Sequence, residues 1–442
     1  MKIAWFSPMV PAHSDVANYT ERLRPDLQAK HEVRFFTERP EGFLEPATGK
    51  LYASALGETP TELLLALNQI DLPIYNLGNH PGFFARTWFL GQAKPGVVVL
   101  HDLRLHHFYE GILRERLEDR PRYLRSLWEH YGRVGYDAGV SYWQQKITID
   151  FMAQHFPMTA WAVCNALALV VHTPHALDAV SRLTRTPVRM TPLPYAPHAA
   201  ERPSPPAGDF DADGTFTRSR RVRLILFGYL NVNRRVVEFL TAWSAMPERD
   251  RFELHLVGTI ANRQDVETTI RTLGLSERVT LHGYVSEEAL ESVLDLADLA
   301  INLRYPTMGE ASGSQLRLWD HALPSLVTCT EGYATLPPET VCFVDPGNEA
   351  ADIQKHLRRF LERPADFHEA GWRGRRWLRE HHLPSMYVER LGELFACASE
   401  LRSRHNQLTL ADRVGSAAAP WINRVPLTGR ERFYASGISV MV

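Results

Sequence analysis

Short apolar runs recur along the chain, each followed by a stretch with helical spacing, and this alternation predicts parallel α/β layers. Residues 3–6, 33–36, 74–77, 97–100, 169–172 and 188–193 are predicted as a first series of strands. Val97-Val98-Val99-Leu100 contains no polar residue, as a strand covered on both faces requires. The pattern then breaks. Residues 201–219 are rich in Pro, Gly and Asp, which predicts a linker. A second series follows at 223–227, 252–257, 279–282, 299–303, 325–329 and 341–344, with helices predicted over 235–245, 264–273, 287–297 and 314–321. Residues 350–400 read as helical, and the pattern weakens from Leu401.

The expected organisation is therefore a Rossmann-like domain over 1–200, a linker over 201–220, a second Rossmann-like domain over 221–385, and a helix and tail over 386–442 that pack back on the first domain. Open parallel sheets receive ligands at the carboxyl ends of their strands, so two such sheets facing each other place a site in the cleft between them.

Composition narrows the partners. The 442 residues are 45% hydrophobic and 23% charged, an ordinary globular balance. A net charge of −2 gives no electrostatic reason to expect nucleic acid. The four cysteines, Cys164, Cys329, Cys342 and Cys397, form no CxxC pair, which predicts a reducing, cytoplasmic setting. The first residues hold too short an apolar run for a signal peptide, and no run approaches the roughly 20 apolar residues of a membrane span. Peripheral membrane contact stays open through 114–133, where Arg alternates with Tyr123, Trp128 and Tyr131; acidic residues dilute that charge, and a half-buried helical face is the preferred reading.

Three places carry candidate chemistry. In 303–324 (LRYPTMGEASGSQLRLWDHALP) a strand ends, a loop carries Gly309 and Glu310, and a helix starts near Ser312-Gly313-Ser314. Free amides at a helix start make an anion site, and Glu310 can accept hydrogen bonds from sugar hydroxyls. The plain alternative is a helix capped by Ser312 after a turn. In 227–235 a strand runs into Gly228, and Arg234 and Arg235 precede a helix; cations there oppose the helix dipole, so a bound anion is the economical account. In the first half, Asn79-His80 and His101-Asp102 follow strands and so face the cleft, as does the loop with His13 and Ser14. A metal reading of His101, Asp102, His106 and His107 lacks a recognised ligand spacing, and Asp209–Gly214 has Arg220 where a calcium loop needs Glu; no metal site is expected at either.

Taken together, these segments resemble the family 4 retaining glycosyltransferases, the glycosyl transferases group 1 domain of the GT-B fold. Glu310-Ala311-Ser312-Gly313 and Ala322-Leu323-Pro324-Ser325-Leu326-Val327 resemble its donor-binding loop and following strand, and Phe227-Gly228-Tyr229-Leu230-Asn231-Val232-Asn233-Arg234-Arg235 resembles its diphosphate-gripping turn. The resemblance implies two facing doubly wound domains, a nucleotide-sugar donor (UDP- or GDP-linked) with no further cofactor, and an unidentified acceptor. It implies catalytic roles for His101, Glu310 and Arg234. It places Arg235, Gly228, Ser312, Gly313, Ser314 and Arg317 at the donor, and His13, Ser14, Asn79, His80 and Asp102 in the sugar or acceptor pocket. The chain departs from the family pattern at Arg317, where a ribose-binding Glu is usual, at Tyr229, where Arg is usual, and at Asp15, where Gly is frequent. Asp320, nearly one turn beyond Arg317, is the nearest acidic substitute. These departures sustain the alternative of a non-catalytic binding or partner subunit. A phosphorylase is disfavoured because none of the six lysines falls in the second domain's cleft loops, and a nicotinamide enzyme because no G-x-G-x-x-G follows a strand.

Overall fold

A computed structural model describes residues 1–198 and 221–397, together with a few positions between 400 and 414. The expected linker, the Asp209–Gly214 segment and nearly all of the tail lie outside the described residues.

Two sheets form. The first takes β1 (Lys2–Phe6), β2 (Glu32–Arg39), β3 (Gly42–Glu45), β4 (Lys50–Ala53), β5 (Leu72–Leu77), β6 (Val97–Leu100), β7 (Ala168–Val171) and β8 (Val188–Met190) in the order β4-β3-β2-β1-β5-β6-β7-β8. The second takes β9 (Val222–Phe227), β10 (Phe252–Val257), β11 (Val279–Gly283), β12 (Leu299–Asn302), β13 (Ser325–Thr328) and β14 (Cys342–Val344) in the order β11-β10-β9-β12-β13-β14. Every pairing is parallel except β2 with β3 and β3 with β4. The expected doubly wound halves are thus present, and the first sheet gains an antiparallel hairpin that the apolar pattern did not announce.

That hairpin buries Phe43 and Tyr52 in the core and is tied to β2 by an ion pair. Arg34 Nε and Nη2 donate to the buried Glu45 carboxylate at 2.7 and 2.8 Å, and Gly42 approaches Tyr52 so closely that a Cβ would stand 2.2 Å from its carbonyl oxygen. Elsewhere both faces of each sheet are covered by apolar side chains, as helical crossovers on both sides require. Ala4 and Phe6 of β1 enter one core of the first domain, and Ile3 and Trp5 enter the other. The second core also contains Tyr387, Val388, Leu391, Leu394 and Phe395, so the Pro384–Ala396 helix packs on the first domain beside the Asp15–Lys30 helix. Among the described residues no helix is long and apolar enough to cross a membrane.

Candidate functional site

Strand order fixes the site. β1 lies between β2 and β5, and β9 lies between β10 and β12, so the chain reverses its winding direction at the carboxyl ends of β1 and β5 in one domain and of β9 and β12 in the other. Loops leave such a point on opposite sides of the sheet and open a crevice. The loop after β9 carries Gly228 and Arg234. The loop after β12 carries Arg304, Glu310 and Ser312. Two glycines let the strand ends crowd: Gly258 has φ +119°, and a Cβ there would stand 2.0 Å from the Gly228 oxygen.

Arg234 is only 2% exposed. Its Nη1 donates to Asn302 Oδ1 at 3.2 Å and its Nη2 to the Phe227 carbonyl at 3.0 Å, while Nε has no hydrogen-bond partner among the described residues. Among the described residues no carboxylate forms an ion pair with it. Burial, and then the neighbouring Arg304 guanidinium, push its pKa down to about 9. Arg304 has the counter-ion that Arg234 lacks: its Nη1 is 2.8 Å from Glu310 Oε1. Burial alone would lower Arg304, but Tyr333, Glu310, Asp15 and Asp102 outweigh it and hold the guanidinium charged.

Asn302 links this pair to the next helix, its Nδ2 donating to Gln315 Oε1 at 2.9 Å and reaching Ser312 Oγ at 3.4 Å. Ser312 caps the Gly313–Asp320 helix, accepting from the Gln315 amide at 3.0 Å. A Cβ at Gly313 would meet nothing within 4 Å, so the helix start faces open space. The positive end of a helix therefore lies beside Arg234, whose charge no described carboxylate pairs, and Arg304, which Glu310 pairs, and the uncompensated charge favours an anion.

Glu310 is fixed from three sides: by Arg304, by the Met308 amide at 2.7 Å and by the Tyr333 hydroxyl at 3.3 Å. It reaches the first domain through loop contacts. Leu103 and Arg104 donate their amides to Met308 O at 2.9 and 2.8 Å, Gln154 Nε2 donates to Thr307 O at 3.2 Å, and the Arg104 guanidinium pairs with Glu331. Gly309, at φ +77°, permits this approach, since a Cβ there would stand 2.3 Å from Leu103 Cβ. Asp102 is thereby brought near Glu310. Burial, and secondarily the Glu310 charge, raise its pKa to about 7, against the Asn79 amide that donates to Asp102 Oδ2 at 2.7 Å.

His101 lies in the first domain's wall of the cleft. Its Nε2 is 3.0 Å from Asn76 Oδ1, and Asn76 Nδ2 donates to Phe6 O, so the imidazole is the donor at Nε2 and keeps Nδ1 as acceptor. Burial, then His172 nearby, hold its pKa well below the usual value, so the ring is neutral. Tyr19 packs edge-on against it at 4.8 Å.

The remaining expected residues divide. Asn79 braces the wall, its Oδ1 accepting from Phe108 N at 3.0 Å. His80 and Ser14 cap the first turns of their helices, accepting from Gly82 N and Val16 N at 3.1 and 3.3 Å. His13 is exposed and meets the ring of Tyr284 across the domains at 5.7 Å, at the cleft rim. Ser314 lies in the first turn of the Gly313–Asp320 helix. Two of the expected donor ligands are engaged by protein carboxylates. Arg235 pairs with Glu349 and Glu238, both at 2.7 Å. Arg317 pairs with Glu287 at 2.7 Å and Glu291 at 3.4 Å. Asp320 accepts from the His198 amide and ring, so it is not left to take a ribose hydroxyl. His106, weighed for a metal, is buried with both ring nitrogens bonded, to Phe156 O at 2.5 Å and Tyr123 OH at 2.9 Å.

Arg304 and Tyr333 are site residues that the sequence expectations do not include. Arg304 follows a strand by one residue beyond Leu303, the same placement that singled out His101 after β6, and that signal was available. Tyr333 had none, because its loop follows β13 and folds back over the site.

Comparisons with known proteins agree with this construction. Residues 221–363 match the family described as Glycosyl transferases group 1. Solved structures share the two-domain GT-B architecture. Sucrose-phosphate synthase from Thermosynechococcus elongatus has 17% identity and a TM-score of 0.58, over 90% of this chain and 98% of that one. HepE of Anabaena, solved with UDP and glucose, has 12% identity and a TM-score of 0.57, over 90% and 99%. WaaG, a glycosyltransferase involved in lipopolysaccharide biosynthesis, has 16% identity and a TM-score of 0.54, over 88% and 98%. No curated protein matches in sequence. The chain thus has the GT-B fold expected of it, and the similarity to the glycosyl transferases group 1 family lies in its second sheet and the loops around it.

Proposed function

We propose that the protein is a retaining glycosyltransferase that transfers a sugar from a UDP- or GDP-sugar to an acceptor, without a metal in the transfer step. The observation that carries this reading is Arg234, a buried guanidinium that among the described residues has no partner at Nε and no paired carboxylate, beside Arg304 and the start of the Gly313–Asp320 helix. A bare buried cation is costly, and the anion that repays the cost is the donor diphosphate. The matched glycosyl transferases group 1 segment contains all of these groups, and HepE, similar in fold, was solved in complex with UDP.

The chemistry follows from the charges. As the bond from the anomeric carbon to the β-phosphate breaks, negative charge grows on the phosphate. Arg234, Arg304 and the amides near Gly313 are already in place to stabilise it. Glu310, held by Arg304 and Tyr333, accepts hydrogen bonds from donor sugar hydroxyls. The neutral His101 offers its Nδ1 acceptor to the sugar. The leaving phosphate takes the acceptor's proton on the face it departs from, which gives retention and needs no separate side-chain base. Arg104–Glu331 and the Met308 carbonyl hold the two domains together over the reacting centre.

The alternative of a non-catalytic subunit draws on Arg317, which is locked to Glu287 and Glu291 instead of meeting a ribose. The test is to incubate the protein with UDP-, GDP-, ADP- and TDP-sugars and follow nucleoside diphosphate release, then the anomeric configuration of the product by NMR. Release with retention from one nucleotide class supports the proposal. Inversion contradicts the mechanism, and tight binding without release or transfer supports the subunit reading.

A further inference from the structure

At the far end of the Gly313–Asp320 helix from Ser312, two histidines and a carboxylate face one another. His321 is the C-cap of that helix, Glu291 lies on the Glu287–Leu296 helix, and His198 lies on the segment leaving β8. Their ligand atoms all lie within 4.8 Å of one another. His321 Nε2 is 2.5 Å from Glu291 Oε2, and His198 Nε2 is 3.9 Å from the same oxygen. The second nitrogen of each ring is held by a further carboxylate: His198 Nδ1 is 2.5 Å from Asp320 Oδ2, and His321 Nδ1 is 2.9 Å from Asp295 Oδ1. An imidazole tied at Nδ1 to a carboxylate is oriented to offer its Nε2 lone pair to a metal, and here two such imidazoles converge on one carboxylate oxygen.

We propose that His198, Glu291 and His321 bind one divalent transition-metal ion, zinc by preference, through the two Nε2 atoms and Glu291 Oε2. Zinc accepts this mixed nitrogen and oxygen set with bonds of about 2.0–2.1 Å, which in a tetrahedron separates ligand atoms by about 3.3 Å. The 2.5 Å contact must then open and the 3.9 Å contact must close, each by less than about 1 Å. The ion displaces the proton that His321 and Glu291 share. Charge favours it: Glu291, Asp320, Asp295 and Glu287 surround the cluster, against the guanidiniums of Arg317, at Glu291 Oε1, and Arg379, at the His198 carbonyl. Asp320 is fully buried and His198 is half exposed, which gives one fixed wall and an open entry.

The site is distinct from the donor region. The eight-residue helix between them spans about 12 Å, so a metal here acts on how the segment leaving the first domain is tied to the second, and not on the departing phosphate. The proposal stands whether or not the donor assignment does.

The test uses untagged full-length protein, stripped with chelator and exchanged, then titrated with Co²⁺ and Zn²⁺ alone. One equivalent of Co²⁺ should give the visible bands of a four- or five-coordinate site, bleached by Zn²⁺, and Zn²⁺ should raise the melting temperature. His198→Ala, at an exposed position, should weaken Zn²⁺ by about 100-fold or more, and Asp320→Asn or Asp295→Asn by about 10–100-fold. Absence of saturable binding at micromolar metal overturns the proposal. So does binding that persists unchanged in His198→Ala and Glu291→Gln.

Discussion

Arg234 and Arg304 stand together in the loops after β9 and β12, and among the described residues only Arg304 of the two has a paired carboxylate, Glu310, at 2.8 Å. A protein that needed these residues only for stability would pair both. The unpaired member points to a ligand that supplies the second negative charge, and it makes the two arginines separable by experiment.

Replacing Arg234 with Met removes a buried, unpaired charge and keeps much of the side-chain volume. Arg234→Met is expected to melt at or above the wild-type temperature while losing about 100–1,000-fold in turnover, the usual cost of one electrostatic donor at a developing oxyanion. Circular-dichroism melts and nucleoside diphosphate release measure the two arms. A variant that is both active and unstable would contradict the assignment.

Glu310 behaves in the opposite way, because it is the counter-ion of Arg304 and also binds the Met308 amide. Glu310→Ala leaves a second buried guanidinium unpaired. It is expected to destabilise the fold by about 3 kcal/mol and to lower turnover. Glu310→Gln should recover part of the stability, since the amide oxygen still accepts from Met308 N, with less recovery of turnover. Urea titrations alongside turnover assays separate the two effects.

Asp102 gives a pH signature. Its pKa is raised to about 7, by burial first and Glu310 second. A raised carboxyl contributes stability that is fully present below the unfolded value near 3.8 and is lost as pH rises through about 7. Asp102→Asn removes that loss. The variant should equal the wild type near pH 4 and exceed it by about 1–3 kcal/mol at pH 8.5. Denaturant midpoints across pH 4–9 provide the check, and parallel curves for the two proteins would refute it.

The Arg104–Glu331 pair crosses the domains, is largely shielded from solvent, and adjoins the Met308 contact. Arg104→Ala and Glu331→Ala should each raise KM for the donor more than they lower kcat, and a double-mutant cycle on stability should return a coupling of about 1–2 kcal/mol. Additive effects would mean that the pair does not hold the domains together.

Much of this was legible in the sequence, for stated reasons. Val97–Leu100 is legible to the residue because both faces of this parallel strand are apolar, and Phe252–Val257 because Phe252, Leu254 and Leu256 alternate with half-buried Glu253 and His255. Ser312, Gly313 and Arg234 were found because strand-to-helix turns concentrate unpaired backbone groups, and their chemistry is local. The β3–β4 hairpin is not legible, because its strands are four residues each, and the Arg34–Glu45 pair that ties β3 to β2 and the burial of Phe43 and Tyr52 are tertiary contacts. The engagement of Arg235 by Glu349 and of Arg317 by Glu287 joins residues far apart in the chain, and no local pattern announces which cation keeps its charge free. For the same reason the meeting of His198 with His321 passed unnoticed while the adjacent His106 and His107, which share no ligand geometry, drew attention.

The most direct measurement of the central claim is thermal stabilisation of wild type and Arg234→Met against UDP-, GDP-, ADP- and TDP-sugars, with and without chelator, since a ligand bound to the native state raises its melting temperature. The account predicts a shift with one nucleotide class in the wild type, of similar size relative to the matching ligand-free protein when chelator is present, and abolished in Arg234→Met. No shift with any nucleotide sugar, or an equal shift in Arg234→Met, would contradict it.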